Sequence, residues 1–205
     1  MTQQEFQQRY VYNLLTDKLG EGGFGTVFKA YDTYRDRWVA LKIAKVYPEH
    51  ENMRLKREME MVAGLPVHPN IAYYEECYTF TQMDGEYDFG ILQYYEEGNL
   101  LQLLGRDAAR HVSTRQKTAI LTQILEGIDF LHNNGIIHRD LKPQNILIAK
   151  RPDGEYIPKI TDFGISKLLD TDKKSVFSNS LIGAGTLAYS SPEQLGEYEI
   201  GKNTD

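Results

Sequence analysis

Apolar residues in this chain alternate with polar ones over its first half and recur at helical spacing over much of its second. The two periods cannot share one element, so the chain needs two differently built halves. Over residues 12–45, Val27, Trp38, Ala40 and Ile43 stand among polar residues and Thr33-Tyr34-Arg35-Asp36 reads as a turn, which predicts a β-meander. Residues 51–65 change period: Leu55, Met59 and Val62 recur at helical spacing, and Gly64 with Pro66 ends the segment. Strands are expected again over 71–80 and 88–94, joined by a Met83-Asp84-Gly85 turn. After Glu96-Glu97-Gly98 a short helix over 100–104 precedes a long one. There Ile120, Leu121, Ile124, Leu125, Ile128 and Leu131 form one apolar stripe, and Asn133-Asn134-Gly135 supplies a left-handed stop. Short strands follow over 146–148 and 158–160, with a turn at Pro152-Asp153-Gly154. The organisation is therefore α+β, with an N-terminal extension over 1–11, a small antiparallel sheet with one helix over 12–94, and a mainly helical part over 95–205.

The 205 residues suffice for one large domain or two small lobes, and 41% hydrophobic with 25% charged residues excludes a disordered or collagenous chain. Twenty-three Lys plus Arg against 29 Asp plus Glu leave a net charge of -6, without the basic excess that phosphate backbones attract, so nucleic acid is not an expected partner. Cys77 is the single cysteine, which excludes an intrachain disulfide and a cysteine zinc site and fits a reducing cytoplasm. The start, Met1-Thr2-Gln3-Gln4-Glu5-Phe6, has neither the positive charge nor the apolar run of an export signal. No stretch reaches the ~18 consecutive apolar residues of a membrane span, so the expectation is a cytoplasmic chain without a membrane segment.

Gly20-Glu21-Gly22-Gly23-Phe24-Gly25 matches G-x-G-x-x-G, a weak signal by itself. A dinucleotide-binding loop needs a helix straight after the glycines and an acid ~20 residues on. Here Thr26-Val27-Phe28-Lys29-Ala30 continues as strand, and residues 38–48 contain no Asp or Glu. A glycine-rich hairpin remains, whose bare backbone amides can approach phosphate oxygens. Lys42 lies in the apolar strand Val39-Ala40-Leu41-Lys42-Ile43, where its ammonium needs a partner or a ligand; taken alone, the preferred reading is an exposed lysine on an edge strand. Glu58 changes that reading, because it stands three residues after Leu55 and four before Val62, on the apolar side of the helix. A Lys42–Glu58 pair would satisfy both charges and aim Lys42 at a phosphate.

His138-Arg139-Asp140-Leu141-Lys142-Pro143-Gln144-Asn145 is followed, 22 residues after Asp140, by Asp162-Phe163-Gly164. With the glycine loop, Lys42 and Glu58, this set resembles the eukaryotic-type protein kinases from about Leu19 to the last residue. The resemblance implies a two-lobe fold, with a small sheet lobe bearing one helix and a mainly helical, incomplete second lobe. It implies that the loop Gly20, Glu21, Gly22, Gly23, Phe24, Gly25 and Thr26 covers the phosphates of ATP, that Lys42 holds the α- and β-phosphates and that Glu58 is its helix partner. Asp140 matches the aspartate that accepts the substrate hydroxyl's proton, and Asn145 and Asp162 match the Mg2+ ligands. Adenine is expected against Leu19, Val27, Ala40 and Leu147, with backbone hydrogen bonds from the segment Gln93 to Tyr95 and Leu92 as back wall. Lys142 in Asp-Leu-Lys-Pro and Gly185-Thr186 resemble serine/threonine kinases: Lys142 would neutralise the transferring phosphoryl and Thr186 would steady Asp140 and Lys142. Ser191-Pro192-Glu193 replaces the family's Ala-Pro-Glu.

The implied activity is ATP-dependent phosphorylation of protein serines and threonines, with ATP and Mg2+ as cofactors and protein substrates as partners. Two rivals are a pseudokinase scaffold, against which Lys42, Asp140, Asn145 and Asp162 argue, and a small-molecule kinase, against which Thr186 and Ser191-Pro192-Glu193 argue. Arg139 beside Asp140 calls for an anion, for which Ser180, or next Ser178, is the expected phosphorylation site. Asp205 matches the aspartate that opens the central helix of the large lobe, and the resemblance implies that this central helix supplies much of the cover for the stripe on the long helix. The expectation is that about three of Ile120, Ile124, Leu125, Ile128 and Leu131 lose most of their burial, that Asp205 does not brace His138 and Arg139, and that Glu193 lacks its arginine partner. A marginally stable, self-associating and poorly active chain would result.

Overall fold

The computed structural model describes residues 1–22, 25–49, 54–105, 112–163, 187–195 and 200–205. Two units are distinguished, Met1–Leu65 with Tyr73–Tyr94, and Pro66–Ala72 with Tyr95–Asp205.

The first unit is built on six strands: β1 (Tyr10–Val11), β2 (Lys18–Gly22), β3 (Gly25–Asp32), β4 (Arg37–Lys45), β5 (Tyr74–Gln82) and β6 (Gly85–Gln93). Their order is β1-β3-β4-β6-β5, with β2 also paired to β3, and the pairs are antiparallel. The β3–β4 turn is closed by the Asp32 carboxylate, which accepts from the backbone N–H of Tyr34 (3.0 Å) and Arg35 (3.3 Å). Gln82 pairs with Gly85 around a two-residue loop, so pairing begins at the turn itself. That places β5 and β6 at 74–82 and 85–93 rather than at the expected 71–80 and 88–94. Helix α2 (Leu55–Ala63) buries Leu55, Glu58, Met59 and Val62, and Gly64 is its C-cap.

Side chains alternate across a strand, which gives the sheet two distinct faces. One carries Ala30, Val39, Leu41, Phe89 and Ile91, and it is covered by residues 1–11, for which the sequence pattern predicts no element. They form α1 (Gln3–Arg9), opened by a Thr2–Glu5 capping box, and run into β1. Phe6 is 2% exposed, with ring centroids 4.8 Å from Tyr10, 5.5 Å from Tyr78 and 5.3 Å from both Phe80 and Phe89. Arg9 fixes the end of α1 through Nε and Nη2, each 2.9 Å from the buried Asp32 carboxylate on β3.

The second unit contains α3 (Leu100–Gly105), α4 (Thr114–Asn133), the hairpin β7 (Ile146–Lys150) and β8 (Tyr156–Ile160), and the short α5 (Pro192–Leu195). α4 opens on a Ser113–Gln116 capping box and closes at Asn134, with Gly135 in the left-handed region at φ 76°. The segment 66–72 lies along β8: Ile160 N–H donates to Asn70 O and Ala72 N–H to Ile160 O, each at 2.8 Å. α4 packs against the same residues at Gly127, where a Cβ would come 2.7 Å from Ile160 Cδ1 and 3.1 Å from Asn70 Cβ.

That close approach decides which part of the α4 stripe is covered. Ile120, Ile124, Ile128 and Leu131 are buried, so the expected loss of burial does not occur for them, while Leu121 and Leu125 are exposed. The stripe divides because Gly127 and its neighbours face β8 and segment 66–72, leaving the flank with Leu121 and Leu125 to solvent. Among the described residues no helix is long and apolar enough to cross a membrane.

Candidate active site

In the first unit, register assembles the nucleotide-binding candidates. Val27 pairs with Lys42, Lys42 with Gly90 and Ala40 with Leu92, so Val27, Ala40, Lys42 and Leu92 share the sheet face opposite α1. α2 crosses that face at Gly90, where a Cβ would lie 2.6 Å from Met59 Sδ and 3.0 Å from Leu55 Cδ2. Gly20, Glu21 and Gly22 are exposed on β2 and Leu19 sits at a register shift beside them; Thr26, the second residue of the return strand β3, pairs with Glu21. Gly25 has φ 117° and a Cβ there would fall 2.2 Å from Ile43 O, so glycine lets β3 lie this close to β4. Gly23 and Phe24 lie outside the described residues.

Lys42 is buried, with Nζ 3.4 Å from Glu58 Oε2, so the structure brings together the pair anticipated from helix phase. The other carboxylate oxygen, Oε1, accepts from the hydroxyl of buried Tyr74 on β5 at 2.8 Å. Sequence reasoning missed Tyr74, since a tyrosine in a strand pattern carries no mark of its partner. Gln93 donates its N–H to Tyr73 O at 3.1 Å, so that N–H is already engaged within the first unit.

In the second unit the segment from His138 to Asn145 wraps around Asp140. Asn145 Nδ2 donates to Asp140 O (2.8 Å) and to Asp140 Oδ2 (2.9 Å), and Lys142 Nζ lies 2.8 Å from the same Oδ2. His138 is fully buried; its Nδ1 accepts from Asp140 N–H (3.2 Å) and its Nε2 lies 2.9 Å from Thr161 O. A carbonyl only accepts, so the proton sits on Nε2 and the ring is neutral. Burial lowers the pKa of His138 in agreement with this. The Arg139 backbone is left-handed at φ 65° and that of Asp162 at φ 56°, conformations that cost a non-glycine residue ~1–3 kcal/mol and cluster at functional sites. Arg139 is buried, and its pKa is lowered by that burial against the opposing charge of Asp205. Leu147 is half-buried on β7, and Tyr95 O accepts from Gly98 N–H at 3.1 Å.

Asp205 corrects an expectation. Its Oδ2 accepts from His138 N–H at 2.6 Å and its Oδ1 from Arg139 N–H at 2.7 Å, with His132 Nε2 2.9 Å from Oδ2. The short turn Lys202–Thr204 suffices to present this carboxylate, so it does brace the two residues before Asp140. Gln194 adds a 2.5 Å hydrogen bond to Arg139 O. Glu193 accepts from the Thr204 hydroxyl at 2.9 Å, and its own backbone N–H together with that hydroxyl lowers its pKa. Gly164, Ser178, Ser180, Gly185 and Thr186 lie outside the described residues.

The donor set suits a magnesium ion. Asn145 turns its amide nitrogen to Asp140, which leaves Oδ1 as its acceptor end, and Asp162 is a carboxylate on a strained backbone; both offer the hard oxygen that Mg2+ takes.

Comparison with known proteins agrees with this geometry. The family model described as protein kinase domain matches residues 14–205. Serine/threonine-protein kinase 36 of Pongo abelii is 36% identical over 196 residues, covering 95% of this chain and 14% of that protein. For 3-phosphoinositide-dependent protein kinase 1 of Rattus norvegicus the figures are 36% over 191 residues, 91% of this chain and 32% of that protein. For the interferon-induced, double-stranded RNA-activated protein kinase of Mus musculus they are 34% over 204 residues, 92% and 36%. The chain thus spans well under half the length of these relatives. With a family match running from residue 14 through the braced Asp140 to Asp205, the chain belongs to the protein kinase domain family.

Proposed function

We propose that the chain transfers the γ-phosphoryl group of ATP to serine and threonine hydroxyls of proteins. The observation that carries this reading is the setting of Asp140, whose Oδ2 is held by Asn145 and Lys142 and whose preceding backbone is pinned by Asp205. In this reading Lys42, kept in place by Glu58, holds the α- and β-phosphates while the amides of the glycine loop cradle them. The acceptor hydroxyl lies against Asp140. As its oxygen bonds to the γ-phosphorus, the bond to the bridging oxygen breaks, ADP leaves with that electron pair, and the hydroxyl proton passes to Asp140. Lys142 balances charge on the transferred group. A magnesium ion held by Asn145 and Asp162 would neutralise the phosphate oxygens. Serine/threonine preference rests on Lys142 after Asp140-Leu141 and on the similarity to serine/threonine-protein kinase 36. The cytoplasm is the matching compartment, given the single Cys77.

The test is transfer of labelled γ-phosphate from MgATP to generic acceptor proteins, followed by phosphoamino acid analysis. Asp140→Asn should lose about 10²–10⁴-fold in turnover with nucleotide affinity unchanged, because the side chain acts on the acceptor hydroxyl. Equal turnover in the variant, or label on tyrosine alone, would overturn the reading.

A further inference from the structure

Helix α2 carries Glu58, yet it begins without a cap of its own. Its N-cap position is Arg54, whose side chain makes no capping hydrogen bond, whereas Ser, Thr, Asp or Asn would accept from the first N–H groups. A residue from β6 stands in its place. Asp88 is fully buried, two positions from Gly90 and on the same sheet face, where α2 makes its closest approach. Asp88 Oδ2 accepts from Lys56 N–H, the second residue of the helix, at 3.2 Å. Arg54 grips the same carboxylate from the side, Nη2 to Oδ1 at 2.9 Å and Nε to Oδ2 at 3.3 Å, and the Thr79 hydroxyl donates to Oδ1 at 2.7 Å. These donors use the four lone-pair positions a carboxylate has.

We propose that Asp88 is the positioning residue of α2: it caps the helix from the neighbouring strand, holds Arg54, and thereby sets the distance from Glu58 to Lys42. Glu58 N–H bonds to Arg54 O at 3.2 Å, so one helical turn links the anchored residue to the carboxylate that holds Lys42. The Lys42–Glu58 contact of 3.4 Å leaves little room for drift before the pair is lost. A carboxylate is also the charge that the positive end of a helix favours. Thr79 and Arg54 both point at Asp88, so the site forms one unit linking β5, β6 and the start of α2.

The inference rests on the proposed kinase activity for its catalytic consequence, though not for the anchoring itself, and the test separates the two. The full chain is compared with Asp88→Ala, Asp88→Asn, Arg54→Asp and the Asp88→Ala, Arg54→Asp double variant. Hydrogen exchange at the amides of residues 55–58 and steady-state kinetics in MgATP are the two readouts. Asp88→Ala should speed exchange there about five- to tenfold, the effect of a missing N-cap. It should lower kcat/KM for ATP about 10- to 100-fold, as expected when a phosphate-holding group is misplaced. Arg54→Asp should do the same, because two carboxylates then face each other. The double variant has a capping side chain at position 54 and no opposing charge, and it should return to within about threefold of wild type in both readouts. If Asp88→Ala does not fold, Asp88→Asn, of equal size, must speed exchange about two- to threefold. Unchanged exchange in both Asp88 variants, or a double variant no better than Asp88→Ala, overturns the proposal. A wild-type chain without phosphoryl transfer would refute the kinase reading, and the exchange measurements would still decide the role of Asp88.

Discussion

Replacing Phe6 with alanine should destabilise the first unit by about 3–4 kcal/mol. Complete burial of this ring among Tyr10, Tyr78, Phe80 and Phe89 puts it in the range of ~3–5 kcal/mol for a core Phe→Ala change. The lower part of that range applies because Phe6 also lines an open groove of about 380 Å³ with Phe80, Phe89 and Tyr12, whose side chains can close into the vacated space. Arg9 would still hold Asp32, and α1 would therefore stay attached while its apolar contact is lost. Trp38, the single tryptophan, lies on β4 with Lys29 Nζ 4.2 Å above its ring, so its fluorescence reports the opening of this sheet. Urea titration followed at Trp38 should show the midpoint lowered by at least ~1 M at an unchanged slope. Phe6→Leu should cost less than half as much. A shift worth under ~1 kcal/mol for Phe6→Ala would show that α1 rests on the sheet without holding it, and the account of residues 1–11 as part of the unit would be wrong.

Tyr74→Phe leaves Glu58 Oε1 buried without its hydroxyl donor, at a cost of ~1–3 kcal/mol, and should reduce kcat/KM for ATP several-fold; thermal melts and ATP-dependent kinetics check it, and unchanged values in both contradict it. Asp205→Ala removes the acceptor of two backbone N–H groups, so ~2–5 kcal/mol should be lost, with faster hydrogen exchange at His138 and Arg139. Full burial of His138 and partial burial of His68 lower both imidazole pKa values below the ordinary 6.5. The unfolded chain then binds protons that the native state refuses, so their contribution to stability is complete above about pH 6.5 and is lost as pH falls below it. Melts between pH 7.5 and 5.5 should show this fall, with a shallower slope in His138→Gln; an equal slope would exclude His138 as a source.

Local pattern was enough for the elements whose causes are local. The β3–β4 turn closes on Asp32 within its own hairpin, α4 ends where Asn134 and Gly135 end it, and the spacing from His138 to Asp162 names the catalytic candidates because that chemistry uses fixed offsets along the chain. The Lys42–Glu58 contact was legible for a related reason: helix phase puts Glu58 on the buried side with a strand lysine as its natural counter-charge. Residues 1–11 were not legible: no apolar period marks an element there, and both the Thr2–Glu5 capping box and the face of the sheet that takes up Phe6 are outcomes of folding. Periodicity likewise shows that α4 has an apolar stripe but not which flank is covered; Gly127 against Ile160 buries Ile128 and leaves Leu125 in solvent. Asp205 reaches His138 across 67 positions and Asp88 reaches Lys56 across 32, each satisfying backbone N–H groups that have no local acceptor. Hydrogen bonds of that span depend on which strand or turn arrives beside a loop or helix end, and this is settled by packing, because a sequence pattern records what a residue can donate or accept and not where its partner will stand.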